Sequence, residues 1–279
     1  MYLAVKDLGH DVVAQLRELP TTQEKIRVYQ EYLRTCDVEG VHLESRYDDI
    51  GLPLTQFPYE ILEHYRLTYH VNGLRELVTE HDEEAHHAVL AQVLELVAAV
   101  PAIEDVSFHP PGFFPPESDG YIPDERRAAI KYRLQRLLAH WIPKYAAYHT
   151  TVSIESHITP QYFCFNGPDD YMQFIQETPG VGALLDVAHN HFDGFDNTAL
   201  IAQLGERITG FHLSDTNRGA GFPDGLHLEI GQGEIDFHFL QAYSWQPHVF
   251  GAIEVKGQFQ NIRESVQVLT QRYLSAQRN

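Results

Sequence analysis

Residues 151–189 read TVSIESHITPQYFCFNGPDDYMQFIQETPGVGALLDVAH, and the architecture turns on how this stretch is parsed. Thr151 to Ile154 is a short β-branched and apolar run of a strand's length, Tyr171 to Gln176 has helical spacing, and Gly182 to Leu185 is a second short apolar run. Together they make one strand-helix-strand unit, and the pattern recurs on both sides. Further strand-length runs lie at Val38 to Leu43, Leu67 to Tyr69, Val106 to Phe108, Ile208 to Leu213 and Val249 to Val255. Helical spacing marks Glu24 to Thr35, Glu83 to Val100, Arg126 to Tyr148 and Ile262 to Leu274. With Leu3 to Val5 as the first strand the count is eight, and an alternation that never breaks into a run of strands argues for parallel strands joined by crossover helices.

Eight such units in 279 residues predict an α/β chain folded as a closed (β/α)8 TIM barrel, one domain over residues 1–279. An open doubly wound sheet is the alternative, but no GxGxxG follows the first strand to mark a dinucleotide site. No Ser/Gly-rich linker divides the chain. Residues 110–124, preceded by His109, are too rich in Pro and Gly for helix; they read as a rigid surface loop or as a lid carrying Phe113 and Phe114 over a substrate pocket.

In a barrel of this kind, side chains from all eight units converge only where the strands end. The apolar runs stop at His70, His109, Glu155, Asp186 followed by His189, His212 and Glu254. Singly, a carboxylate there is a helix cap and a histidine a hydrogen-bonded core residue. As a set they imply a metal centre, because a divalent ion neutralises clustered carboxylates and selects neutral imidazole, where burial without a cation would be costly. Glu155, Asp186, His212 and Glu254 make a mixed oxygen and nitrogen shell suited to manganese, zinc or cobalt. His157 and His191 lie just beyond ligand candidates and are candidate outer or substrate contacts; His81, His86, His87, His140, His149 and His238 read as solvated or structural. Downstream stand Asp215, Asp224, His227 and the run IGQGEID, whose Gly231 and Gly233 permit a tight turn or a close backbone approach to a ligand.

The net charge of −19, from 39 acids against 20 bases, weighs against nucleic acid, whose affinity comes from Lys and Arg neutralising phosphates. Cys36 and Cys164 form no CxxC pair and no disulfide framework, so a reducing, cytoplasmic setting is expected. Neither a signal peptide nor a membrane span is indicated; the most apolar helical stretch, Val93 to Val100, carries Glu95 and stops at Pro101.

The ordered motifs IESH, LLDVAH, FHLSDT, HLEIGQGEIDF and IEVKG resemble the xylose isomerase-like barrel superfamily, which holds sugar isomerases, ketose epimerases and endonuclease IV-type repair enzymes. In the isomerase and epimerase members the matching Glu155, Asp186, His212 and Glu254 would hold one divalent metal, zinc or manganese foremost. Glu155 and Glu254 would flank the substrate and carry a proton between them, and His189 would contact a substrate hydroxyl. The endonuclease IV pattern would add His70 and His109 with Glu155 at a first metal, and His189 and His227 at a third. It departs here, because the acid expected two residues before His227 is Gly225, with Asp224 one position further.

Three readings follow: a metal-dependent isomerase or epimerase of a sugar or related polyol; a di- or trinuclear zinc phosphodiesterase acting at apurinic sites; or a non-catalytic metal- or sugar-binding barrel. The acidic charge favours the first, with a small-molecule partner. Specificity is expected from loop side chains such as Phe113, Phe114, Tyr121 and Arg218, Lys256 is given no role, and a homo-oligomer is compatible with all three.

Overall fold

The computed structural model describes residues 1–6, 9–44, 62–71, 80–112, 123–157, 163–243 and 246–274. Eight strands pair in the order of a closed barrel: β1 (Tyr2–Val5), β10 (Phe250–Ile253), β7 (Ile208–Leu213), β6 (Val181–Asp186), β5 (Thr151–Glu155), β4 (Ile103–Phe108), β3 (Arg66–Val71) and β2 (Gly40–Glu44). The helices are α1 (His10–Glu18), α2 (Thr22–Cys36), α3 (Glu80–Ala99), α4 (Asp124–Ala146), α5 (Pro168–Glu177), α6 (Val187–Phe192), α7 (Asn197–Leu204) and α8 (Phe259–Val268). Among the described residues, no helix is long and apolar enough to cross a membrane.

Local chemistry explains where these helices begin. Thr21 caps α2 by accepting the Glu24 N–H, Asp196 caps α7 in the same way, and α5 opens on Pro168, whose missing N–H costs nothing at a first helical position. The sequence reading found the long amphipathic helices but not α1, α6 or α7, which are too short to establish a period. Its unbroken alternation needs one correction. After β7 the chain forms a separate antiparallel ribbon, β8 (Asp215–Thr216) with β9 (Leu226–Leu228), whose strands of two and three residues give no apolar run to read.

Contacts divide the chain into two compact units. The first holds Met1–Leu67, Asp186–Gly194 and Gly210–Asn279; the second holds Thr68–Leu185 and Phe195–Thr209. In the first, β1 pairs with β10 so that Val5 lies opposite Ile253, and with β2 so that Val5 lies opposite Val41. β10 pairs with β7, Ala252 opposite His212. Because side chains alternate along a strand, these registers set Ala4 and Lys6, Gly40, His42 and Glu44, Gly210 and His212, and Ala252 and Glu254 on one face. The small residues lie early along that face and the ionisable ones late.

The second unit repeats the design. β4 pairs with β5, Asp105 opposite Thr151 and Ser107 opposite Ser153, which brings His109 level with Glu155. At the start of these strands the buried Asp105 accepts hydrogen bonds from Thr151 and Ser153, satisfying its charge far along the strands from the histidines.

Candidate metal centre

In the first unit Asp186 ends β6 and caps α6. Its Oδ1 accepts the Ala188 and His189 N–H groups at 3.0 and 2.9 Å, which leaves Oδ2 directed at His212 Nδ1 and His189 Nε2, 3.9 Å from each. Glu254, just past β10, brings Oε2 to 2.9 Å from the same His212 Nδ1. Asp186, His212 and Glu254 thus offer ligand atoms within 4.8 Å of one another, and the first two residues are almost fully buried.

Three residues that sequence reasoning passed over, Lys6, Glu44 and His42, complete this wall. The Lys6 ammonium, buried at the end of β1, lies 2.6 Å from Glu254 Oε1 and 3.6 Å from Glu44 Oε1. Burial alone would raise the Glu254 carboxyl, but the Lys6 charge and then His212 outweigh it and hold the group well below the usual carboxylate range. His42, from β2, sets its Nε2 3.1 Å from His212 Nε2 and stacks on the Phe250 ring with centroids 5.3 Å apart. A readable signal existed: Gly40-Val-His-Leu-Glu44 alternates polar and apolar residues and ends on a carboxylate, as the later strands do.

The second unit gathers imidazoles around Glu155. His109 Nε2 is 2.9 Å and His70 Nε2 3.4 Å from Oε2, while His157 Nε2 is 3.3 Å from Oε1. His70 is oriented from behind by Ser107 Oγ, 2.9 Å from its Nδ1. His70, His109 and Glu155 form a group able to hold an ion within this unit. His157, one of the outer candidates, is therefore placed directly on Glu155.

His189 and His227 also meet, with ring centroids 5.0 Å apart, and Ser214 Oγ lies 3.1 Å from His227 Nδ1. The acid missing from the third-metal pattern is missing for a steric reason. A Cβ on Gly225 would stand 2.1 Å from the Asn217 carbonyl oxygen, so no side chain fits, and Asp224 is exposed. Asp215 proves structural: its carboxylate accepts the Gly231, Gly233 and Ile235 N–H groups and folds the GQG run beneath β8. Lys256 is exposed. His191 faces Glu234 at 3.4 Å, and Arg218 donates to the His191 carbonyl. His86 is buried, and His87 accepts a hydrogen bond from Trp141, so the structural reading applies to these two rather than the solvated one. Phe113, Phe114 and Tyr121, with most of the expected lid, lie outside the described residues.

The donor set fits a divalent ion. Ligand atoms about 2.0–2.2 Å from a common ion stand roughly 3–4 Å apart, and the Asp186, His212 and Glu254 atoms are spaced at 2.9 and 3.9 Å. Glu254 Oε2 is buried and its hydrogen-bond geometry is unsatisfied, although His212 Nδ1 stands 2.9 Å away.

A family model described as xylose isomerase-like TIM barrel matches residues 3–242. The chain belongs to that family. Solved structures share the fold at low sequence identity. A protein described as the probable 3-DHS dehydratase AsbF from Bacillus anthracis is 14% identical, with a TM-score of 0.71 and coverage of 98% of this chain and 100% of that one. The IOLI protein with a bound zinc atom is 15% identical, with a TM-score of 0.69 over 99% and 98% of the two chains. A D-allulose 3-epimerase from Methylomonas sp., in complex with D-allulose, is 12% identical, with a TM-score of 0.66 over 98% and 97%. No curated protein matches the sequence significantly.

Proposed function

We propose that this protein is a metal-dependent isomerase or epimerase of a sugar or related polyol. The observation that carries the reading is the Asp186, His212 and Glu254 group, with a buried carboxylate oxygen, Glu254 Oε2, that no hydrogen bond satisfies. The resemblance adds Glu155, at the end of β5, as the fourth ligand, and gives Glu155 and Glu254 the proton transfers. A bound divalent ion would polarise a substrate carbonyl and its neighbouring hydroxyl, making the intervening C–H acidic. A carboxylate within reach then takes that proton and returns it, and His189 holds a substrate hydroxyl. The zinc of the IOLI structure and the D-allulose of the Methylomonas epimerase support this choice of cofactor and substrate class. Buried, unpaired thiols at Cys36 and Cys164 suit a reducing, cytoplasmic compartment.

The test is solvent exchange. With zinc or manganese supplied, a panel of ketoses and aldoses in D2O should yield one substrate that gains deuterium at a single carbon, and Glu155→Gln should abolish the gain while the circular dichroism spectrum is retained. Absence of exchange across the panel would count against the reading. The His70, His109 and Glu155 group favours a second one, a multinuclear phosphodiesterase. Against that stand the blocked side-chain position at Gly225 and the charge of −19.

A further inference from the structure

We propose that Lys6 is a positioning residue that engages Glu254 Oε1 and so makes Glu254 a ligand of the metal through Oε2 alone. The inference rests on the metal-centre reading above and deepens it by saying how Glu254 meets the ion.

Geometry makes the argument. Val5 pairs with Ile253, and the Lys6 N–H donates to the Ile253 carbonyl at 3.3 Å, so the parallel register delivers the side chains that follow, Lys6 and Glu254, to the same level and face. Lys6 Nζ then sits 2.6 Å from Glu254 Oε1, while Glu44 Oε1 faces it at 3.6 Å from β2. The ammonium is held between two carboxylates of neighbouring strands and has little freedom to swing away. Glu254 in consequence has two unlike oxygens. Oε1 accepts from Lys6; Oε2 is buried, without a hydrogen bond, beside His212 Nδ1. A carboxylate with one oxygen held on an ammonium meets an ion through the other oxygen and not through both.

Burial sharpens the point. A lysine 4% exposed loses most of its hydration, and a methionine of similar length would fill the space without that cost. Stability alone therefore does not account for an ammonium here, whereas fixing the orientation of a ligand does, as hydrogen-bond partners behind metal ligands commonly do.

Cobalt(II) titration followed by visible absorption tests this without reference to turnover. Lys6→Met frees Oε1 to join the ion, raising the coordination number, so its cobalt d–d bands should lose intensity and shift relative to wild type. Lys6→Arg, which keeps a cationic donor, should restore the wild-type spectrum. Superimposable spectra for wild type and Lys6→Met would overturn the proposal. If Lys6→Met does not fold, a crystal structure of cobalt-loaded wild type decides: Oε1 on Lys6 and off the ion supports the proposal, and both oxygens on the ion overturn it while leaving the metal centre standing. No cobalt uptake by the wild type would overturn the metal-centre reading and this inference with it.

Discussion

His212 is engaged at both ring nitrogens. Nδ1 faces Glu254 and Asp186, and Nε2 meets His42 Nε2 at 3.1 Å. If Nδ1 supplies a lone pair to an ion, the proton is assigned to Nε2 and His42 accepts it, which fixes ring and tautomer together. His42→Phe keeps the ring stacked near Phe250 but removes the acceptor. Zinc affinity, read by competition with a chromophoric chelator, should fall about 10–100-fold, and an unchanged affinity would remove His42 from the centre. Glu254→Gln should cost more, since it neutralises the ligand itself and leaves the buried Lys6 one carboxylate poorer. At this scale the carboxylates and imidazoles at the ends of later strands were legible, because each interrupts an apolar run. Lys6 was not, and for His42 and Glu44 only the alternation of their own strand gave a sign. Their partners lie far away in sequence, and only the register of β1 with β10 and β2 shows that a lysine at residue 6 meets a glutamate at 254.

One side chain ties the ribbon of β8 and β9 to the loop that follows it. Asp215 accepts four backbone N–H groups, from Thr216, Gly231, Gly233 and Ile235, at 2.9–3.0 Å. A Cβ on Gly233 would stand 2.4 Å from Asp215 Oδ1, so the glycine is needed for the carboxylate to enter the loop. Asp215→Ala strands these donors, those of Thr216 and Ile235 fully buried, and at about 1–3 kcal/mol for each stranded buried donor the loss from that pair should be roughly 2–6 kcal/mol, visible as a lowered urea midpoint. A change within a few tenths of a kcal/mol would show that the loop has other support. The sequence allowed Gly231 and Gly233 either a turn or a ligand approach. Structure favours the turn, and what decides it is Asp215, some sixteen residues earlier, which no local pattern connects to them.

Across the whole molecule, the eightfold alternation was enough to identify the barrel, since hydrophobic runs of strand length survive whatever the loops do. The short helices and the ribbon escaped because they carry too few residues for a period to emerge. One pH dependence follows from the core. Burial raises the Cys36 thiol from an ordinary 9.0 to about 12, and burial likewise raises Cys164 and Tyr171. For Cys36 the native state keeps its proton while the unfolded chain gives it up, so the stabilisation is complete below about pH 9 and is lost as pH rises toward 12. Urea midpoints should therefore fall through that window, and less steeply in Cys36→Ala measured against its own value at pH 8.

The number of metal ions per chain, determined by elemental analysis of untagged protein, bears on every level of this reading. A mononuclear isomerase or epimerase requires about one manganese, cobalt or zinc per chain, retained by His109→Ala and lost in Asp186→Asn. Two or three zinc ions per chain, falling when His70 or His109 is replaced, would contradict it and assign the chemistry to a phosphodiesterase.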